Sequence, residues 1–408
     1  MTTARNIVVI GGGPAGVFAA INARKPAPAA TVTLVTDEAC EPYEKPPLSK
    51  AVLLGKAAPH DAPIAGPQGL AGHGVIVARE ATCTAIDRAA RQIATAGGRR
   101  LPYDALVLAT GSQVREIPAL PPGMPRVHYL RTEGQARALA AELKVAQHLV
   151  VIGGGLIGLE VASSAAALGV RITVLEMLPR ILARMCDEET GARIAEAHSR
   201  RGVDLRVGTA LAAAQAAADG RIAITTGGGE TLLADIVVVG TGAKPDDRLA
   251  AAAGIKCDQG IVVDEYCRTS DPAIFAAGDV VRFPGPHGLV RLEDWRHAQN
   301  QGAVAGRNAA GASDVYRSVP SFWSEQYDLY IQGVGWPAPD APRIRRPMAA
   351  NSMLSFETDG AHITAALGIN TQRDIATVRR LIERRIAVDP AVLADPARPL
   401  AEMLKAKA

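Results

Sequence analysis

Ile7–Ala23, IVVIGGGPAGVFAAINA, returns later in the chain as Leu149–Ala167, LVVIGGGLIGLEVASSAAA. Each copy is an apolar strand, a G-x-G-x-x-G turn and a helix rich in small residues. The glycines are Gly11, Gly13 and Gly16 in the first copy and Gly153, Gly155 and Gly158 in the second. In such a unit the first glycine makes the tight turn, the second lets a pyrophosphate approach the backbone, and the third packs helix against strand. The helices open at Pro14–Ala15 and at Leu156–Ile157, and their free N–H groups and positive dipole ends face the phosphates. A second apolar strand closing on an acid follows each copy: VTLVTDE supplies Asp37 and ITVLE supplies Glu176. Both lie close to the offset of about 20 residues expected for a carboxylate on a ribose. Two complete units predict an α/β chain with two Rossmann-like domains and two bound dinucleotides.

Composition narrows the setting. The 408 residues suffice for two or three domains, and 48% hydrophobic with 21% charged residues is ordinary for a globular protein. A net charge of +3 without a long basic run gives no footprint for nucleic acid. An apolar segment, 149–176, is broken by the triple glycine Gly153–Gly155, by Glu160 and by a turn-like Leu168-Gly169-Val170, so it reads as strand, turn, helix and strand rather than a membrane span. MTTARNIVVIGGG enters a strand at once and leaves no room for a signal peptide, which places the protein in the cytoplasm. Five cysteines with no C-x-x-C pair argue against a disulfide framework and a zinc site, and eight histidines show no ligand spacing, so no metal is expected.

Cys40–Lys50, CEPYEKPPLSK, follows the strand that ends near Asp37. Tandem proline is expected to keep Pro46 and Pro47 extended and Lys45 out of helix, with Ser49 and Lys50 opening a new helical pattern. A loop this stiff serves to hold something still, and its end offers Lys50. Farther on, TSDPAIFAAGD (269–279) reads as an extended strand closed by Gly278 and Asp279. It resembles the second FAD motif of two-dinucleotide flavoproteins, in which the aspartate binds ribitol hydroxyls. LVLATGS, Leu106–Ser112, resembles the strand that ends their first FAD segment and carries Ala109, Thr110 and Gly111. The implied arrangement is a discontinuous FAD-binding domain, 1–113 and 244–318, an inserted NAD-binding domain, 114–243, and a smaller α+β domain, 319–408.

PYEKPPLSK, RLEDWRHAQNQG, PSFWSEQYDLYIQ and VDPAVLADPARPL occur in this order and spacing, and with them nearly the whole chain resembles the ferredoxin reductases of bacterial oxygenase systems. That resemblance implies FAD and NADH as cofactors and hydride transfer from NADH to FAD. Single electrons then pass to a [2Fe-2S] ferredoxin that supplies an oxygenase or a cytochrome P450. It implies FAD contacts at Ala15, Asp37, Lys45, Lys50, Arg131 and Asp279, with Cys83 and Trp295 contributing mainly backbone. Glu176, Arg184 and Gly242 fall on the NADH side. Glu160 falls where a carboxylate lies near the flavin, which makes Lys50 and Glu160 the candidate catalytic pair: a buried ammonium needs a partner. Lys45 stands where arginine is common and loses a planar two-pronged donor. His297 replaces a frequent asparagine, and GWPAPDAP, 335–342, is proline-rich; these two are expected to affect partner recognition. Trp323 is expected either in the core of the C-terminal domain or beside the flavin. Arg343, Arg345 and Arg346 read as a solvated basic loop or as a patch for an acidic ferredoxin.

Two other classes share the dinucleotide sites. A flavin disulfide or peroxide reductase needs a redox cysteine at the flavin, yet that position holds Pro46-Pro47-Leu48-Ser49. A non-enzymatic redox-responsive binding protein would carry targeting and nucleic-acid-binding additions that are not apparent.

Overall fold

The structure, a computed structural model, describes residues 6–338 and 341–405. Its first sheet has five parallel strands, in the order Ile274–Ala276, Ala105–Leu108, Asn6–Ile10, Thr31–Val35 and Val75–Ala78. The central strands are continuous apolar runs because helices and loops cover both faces. The second sheet repeats the plan with Asp204–Arg206, Arg171–Leu175, His148–Ile152, Ile236–Val239 and Val127–His128, again all parallel. Between them the chain crosses out along Ser112–Val114 and back along Ala243–Pro245, which pair antiparallel. It re-enters the first sheet at Ile274–Ala276, beside the strand from which it left.

Helix Pro14–Ala23 lies against the long helix Trp295–Ala309 at backbone contact. A Cβ on Gly302 would sit 2.2 Å from the Ala15 carbonyl oxygen, and one on Gly306 would sit 2.0 Å from that of Ala19. The small residues of both helices are what this approach requires, and it sets Trp295, the first residue of the long helix, edge to face with Phe18 of the first.

The third sheet is antiparallel: Ser321–Gln326, Leu329–Gly335, Ile363–Ile369, Met353–Thr358 and Arg343–Arg346. Its strands alternate between two apolar faces. Val334, Leu354, Phe356 and Ala366 meet helix Gln372–Glu383, while Ile331, Met353, Leu367 and Ile369 meet Leu159, Ile181 and Ile194 of the second unit. Among the described residues, no helix is long and apolar enough to cross a membrane.

Three expectations are corrected. Pro46–Ser49 is a short 3-10 turn rather than extended chain, Lys45 has helical angles, and no helix opens at Ser49–Lys50. Proline's fixed φ suits the first positions of a helical turn, and Lys45 is held in place by Glu38 and by the Arg131 carbonyl. The arginine cluster is an edge strand, and its charges are consumed internally. Arg343 pairs with Asp187 and Glu357, Arg345 pairs with Glu189, and buried Arg346 donates to the carbonyls of Val392, Leu393 and Arg398. His297 is 1% exposed, stacked on Phe283 and bonded to Tyr316 Oη at 2.7 Å, so it presents nothing to a partner. Burial pushes its imidazole down to about 3, hence neutral. In GWPAPDAP, Trp336 packs on the core of the first sheet; Pro339 and Asp340 lie outside the described residues.

Candidate cofactor site

The two glycine turns are built alike. Gly11 and Gly153 have φ of +117° and +108°, and a Cβ there would come 2.1 Å from the Ala109 oxygen and 2.5 Å from the Gly240 oxygen. Gly16 and Gly158 are closed in the same way, by the carbonyls of Gly11 at 1.9 Å and Gly153 at 2.2 Å. The middle glycines differ from these: a Cβ on Gly13 would meet nothing within 4 Å, and one on Gly155 only the Gly240 oxygen at 4.0 Å. Space over the helix N-terminus is therefore free where a phosphate would enter.

From the first turn a cavity of about 280 Å³ runs toward the second unit. Gly13, Pro14 and Ala15 of the first turn line it, together with Ala109, Gly111, Arg131 and Asp279. Lys50, Glu160, Leu156, Ile157, Trp295 and Trp323 line it as well. Asp279 receives Ser112 Oγ at 3.1 Å and faces Arg131 at 3.6 Å, so its carboxylate is oriented from two sides. Trp295 and Trp323 meet edge to face at 6.2 Å, which places Trp323 on the cavity wall. Asp294 caps the long helix through the Arg296 N–H and holds the Ser321 N–H at 2.9 Å, tying the C-terminal sheet to this end. Burial pushes its carboxyl above the usual range, against the pull of those N–H groups.

Glu160 is the most constrained polar group at the site. Its carboxylate is 3% exposed on helix Leu156–Ala167 and receives Lys50 Nζ at 3.0 Å. Two hydroxyls not anticipated from the sequence complete its shell: Ser49 Oγ on the lysine side and Ser324 Oγ at 2.7 Å on the other. An isolated carboxylate here would cost several kcal/mol; three donors offset that cost. The available signal for Ser324 was alternation, since Ser324 and Gln326 share one face of a strand and both are fully buried.

Other anticipated residues lie elsewhere. Val35 pairs with Ile10 as Leu175 pairs with Ile152, so Thr36 is the counterpart of Glu176, and Asp37 lies one residue farther on, exposed. Glu176 accepts the N–H groups of Gly154 at 2.7 Å and Leu178 at 2.8 Å, which fixes its carboxylate over the second turn. Arg184 is exposed, Gly242 has φ of +99°, and Cys83 starts the strand Cys83–Asp87. None of these three lines the cavity, nor do Asp37 and Glu176. Lys45 does line it and pairs with Glu38 at 2.9 Å.

Residues 5–302 match the pyridine nucleotide-disulphide oxidoreductases, and residues 321–404 match the reductase C-terminal family. Rhodocoxin reductase of Rhodococcus erythropolis is 38% identical over 394 residues, 96% of this chain and 92% of that protein. The chain belongs to the ferredoxin reductases of this oxidoreductase family. Another relative is the ferredoxin–NAD(+) reductase component of the anthranilate 1,2-dioxygenase system of Burkholderia cepacia. It is 39% identical over 395 residues, 95% of this chain and 97% of that one. The reductase in the crystal structure of the covalent putidaredoxin reductase–putidaredoxin complex superposes with a TM-score of 0.93. The two are 33% identical, with 99% of each chain covered. The site in this ferredoxin reductase is assembled from three parts of the chain. Among the described residues, no cysteine lines it. Burial pushes the Cys40, Cys83, Cys186 and Cys257 thiols up to about 11 and Cys267 higher still, so none is a ready nucleophile.

Proposed function

We propose that the protein is an NADH-dependent reductase that passes electrons through FAD to a [2Fe-2S] ferredoxin serving an oxygenase. Per turnover, one NADH yields NAD+, one proton and two electrons, which leave singly to two ferredoxins. The observation that carries this reading is that the buried Lys50–Glu160 pair and an open glycine turn line one cavity, with no cysteine among the described residues that line it. The residues present fit FAD: the free space over Gly13 suits a pyrophosphate, and Asp279 can accept ribitol hydroxyls. Bound FAD would supply a group that takes up a hydride and releases electrons one at a time.

In this reading residues 1–113 and 244–318 hold FAD, residues 114–243 hold NADH, and residues 319–408 complete the cavity. Gly11, Gly13–Gly16, Ala109–Gly111, Gly278 and Asp279 bind along the FAD pyrophosphate and ribitol, with Asp37 on the adenosine ribose and Cys83 contributing backbone. Lys45 and Arg131 add positive charge beside the phosphates. Gly153, Gly155–Gly158, Glu176, Arg184 and Gly242 serve NADH. Lys50 places an ammonium at the ring end of the cavity, and Glu160 holds that ammonium still, which matters because transfer between two stacked rings falls steeply with misplacement. Five unpaired cysteines suit work in the reducing cytoplasm.

The test is anaerobic. NADH should bleach the purified yellow protein, which should then reduce a [2Fe-2S] ferredoxin and leave lipoamide and glutathione disulfide untouched. Turnover of either disulfide with none of the ferredoxin would overturn the reading.

A further inference from the structure

Behind Glu160 a line of buried polar side chains leads away from the cavity. Ser324 Oγ meets Glu160 Oε1 at 2.7 Å, Gln326 Nε2 meets Ser324 Oγ at 3.0 Å, and His198 Nε2 meets Gln326 Oε1 at 2.9 Å. Tyr327 Oη meets His198 Nδ1 at 3.0 Å. Ser324, Gln326 and His198 are each 0% exposed, and the line ends at half-buried Tyr327, beneath the Arg201 guanidinium at 4.3 Å. Three separate elements contribute: helix Leu156–Ala167, the end of helix Glu188–Ser199, and the hairpin that turns at Tyr327–Asp328.

The donor direction follows from chemistry alone. An ionised carboxylate only accepts, so Ser324 must donate to Glu160 and can only accept from Gln326. Gln326 must then turn its NH2 to Ser324 and its oxygen to His198. His198 must carry its proton on Nε2, which leaves Nδ1 bare to accept the Tyr327 hydroxyl. Every hydrogen points toward Glu160. The required imidazole is neutral, and burial holds His198 below its ordinary range. An independent observation singles out Tyr327: its φ is +58°, a conformation costly for any residue with a bulky side chain. The Tyr327 N–H is fastened to Ser163 Oγ at 2.9 Å, on the same helix as Glu160. A glycine or asparagine would suit the turn better and would lack the hydroxyl.

We propose that Ser324, Gln326, His198 and Tyr327 are positioning residues that act with Glu160 as one hydrogen-bonded unit, whose donor direction is set by the charge on Glu160. The chain orients the carboxylate against Lys50 and carries its charge state to the hairpin turn of the C-terminal domain. Its bearing on catalysis rests on the function proposed above; its test reads the chain itself.

Glu160→Gln supplies that test. Lys50 and Ser49 both donate on one side, so the new amide turns its oxygen to them and its NH2 to Ser324. Ser324 then donates to Gln326, the Gln326 amide reverses, and His198 moves its proton from Nε2 to Nδ1. In the oxidised holoprotein with 15N-labelled histidine, long-range 1H–15N correlation should show His198 as the Nε2–H tautomer in wild type and the Nδ1–H tautomer in Glu160→Gln. With the link cut by Ser324→Ala, adding Glu160→Gln should no longer change the tautomer. An unchanged His198 tautomer in Glu160→Gln would overturn the proposal. For positioning, His198→Phe should slow flavin bleaching by NADH several-fold, and His198→Gln, which keeps a donor toward Gln326, should restore most of it. Equal losses in both would reduce the chain to packing. If wild type is not bleached by NADH at all, the function fails while the tautomer result still decides the chain.

Discussion

The two glycine turns share strand, turn and helix, yet they hand the chain on differently. After the first, the second strand ends at Val35 with Thr36 just beyond it, and the following loop swings back through Lys45 and the Pro46–Ser49 turn to bring Lys50 to the cavity. After the second, the strand ends at Leu175, and the carboxylate of the next residue, Glu176, is clamped by the N–H groups of Gly154 in the turn and of Leu178. Arg180 in the next loop spends its guanidinium on the carbonyls of Cys186 and Ala183. The glycine pattern thus makes a place for phosphates in both copies, and the tail of the second strand decides what is read beyond them. In the proposed function, the tail that returns to the cavity would serve a resident cofactor, and the tail that stops at a carboxylate would read the ribose of a nucleotide that comes and goes.

Blocking each turn in the same way would break this comparison most severely. Valine at Gly13 or Gly155 meets little protein, since the space in front of both is open, but it fills the place of a phosphate. Gly13→Val should fold and purify without FAD. Gly155→Val should keep its yellow colour and raise the KM for NADH by at least ~100-fold, about 2.7 kcal/mol. Flavin content and steady-state kinetics decide it: if both variants lose FAD, or both keep it, the division of labour between the turns is wrong.

Lys50 is the next largest effect. Lys50→Met keeps much of the stem's packing and removes the ammonium, leaving Glu160 with the Ser49 and Ser324 hydroxyls. FAD should stay bound, because Gly13 and Asp279 are untouched, while hydride transfer slows by one to two orders of magnitude, about 1.4–2.7 kcal/mol of barrier. Adding Glu160→Gln should cost little more, because the pair is already broken. Stopped-flow bleaching of wild type, both single variants and the double variant measures the coupling. Strictly additive losses would mean that the two residues act separately.

A smaller effect sharpens the contrast between Thr36 and Glu176. A 2′-phosphate would meet the Glu176 carboxylate at contact distance, and neither Met177 nor Leu178 can neutralise it. NADH should be preferred over NADPH by at least ~10-fold in kcat/KM, about 1.4 kcal/mol. Glu176→Thr, which copies the residue of the first unit, should narrow that ratio. Equal kcat/KM values for the two nucleotides in wild type would refute the assignment.

The glycine turns were legible because their reasons are local: a carbonyl of the turn itself lies where each third-glycine Cβ would go. The Lys50–Glu160 contact was legible only through resemblance, since nothing in either segment alone requires the other. What could not be read were features imposed by distant partners. Asp187 and Glu189, remote in sequence, turn Arg343 and Arg345 from a solvated loop into a paired edge strand. Tyr316 and Phe283 draw His297 inside. Ser49 and Ser324 reach Glu160 from 111 and 164 residues away in the chain, and a lone serine in a sequence gives no sign of the carboxylate it will meet. That Thr36 rather than Asp37 stands opposite Glu176 in the matching register was also hidden, because an acid cluster after a strand does not reveal where the pairing stops.

The smallest expected effect bears on the loop that sets the first unit apart. If that loop exists to carry Lys45 and Lys50, the cysteine that begins it is incidental. Cys40 is half-buried, packs with Tyr43, Leu48 and Val52, and does not line the cavity. Burial, a hydrogen bond to Glu133 and the charges of Glu133 and Glu38 push its thiol up to about 11. At neutral pH it is therefore almost wholly a thiol, whereas the nucleophile in disulfide exchange is the thiolate. Replacing its sulfur by oxygen changes little in the packing and abolishes any thiol chemistry. Cys40→Ser should keep its FAD and reduce ferredoxin with NADH within a few-fold of wild type. Loss of ferredoxin turnover with FAD still bound would mean that the loop delivers a redox cysteine after all, and the first turn would then belong to thiol chemistry rather than to a cofactor that hands on electrons alone.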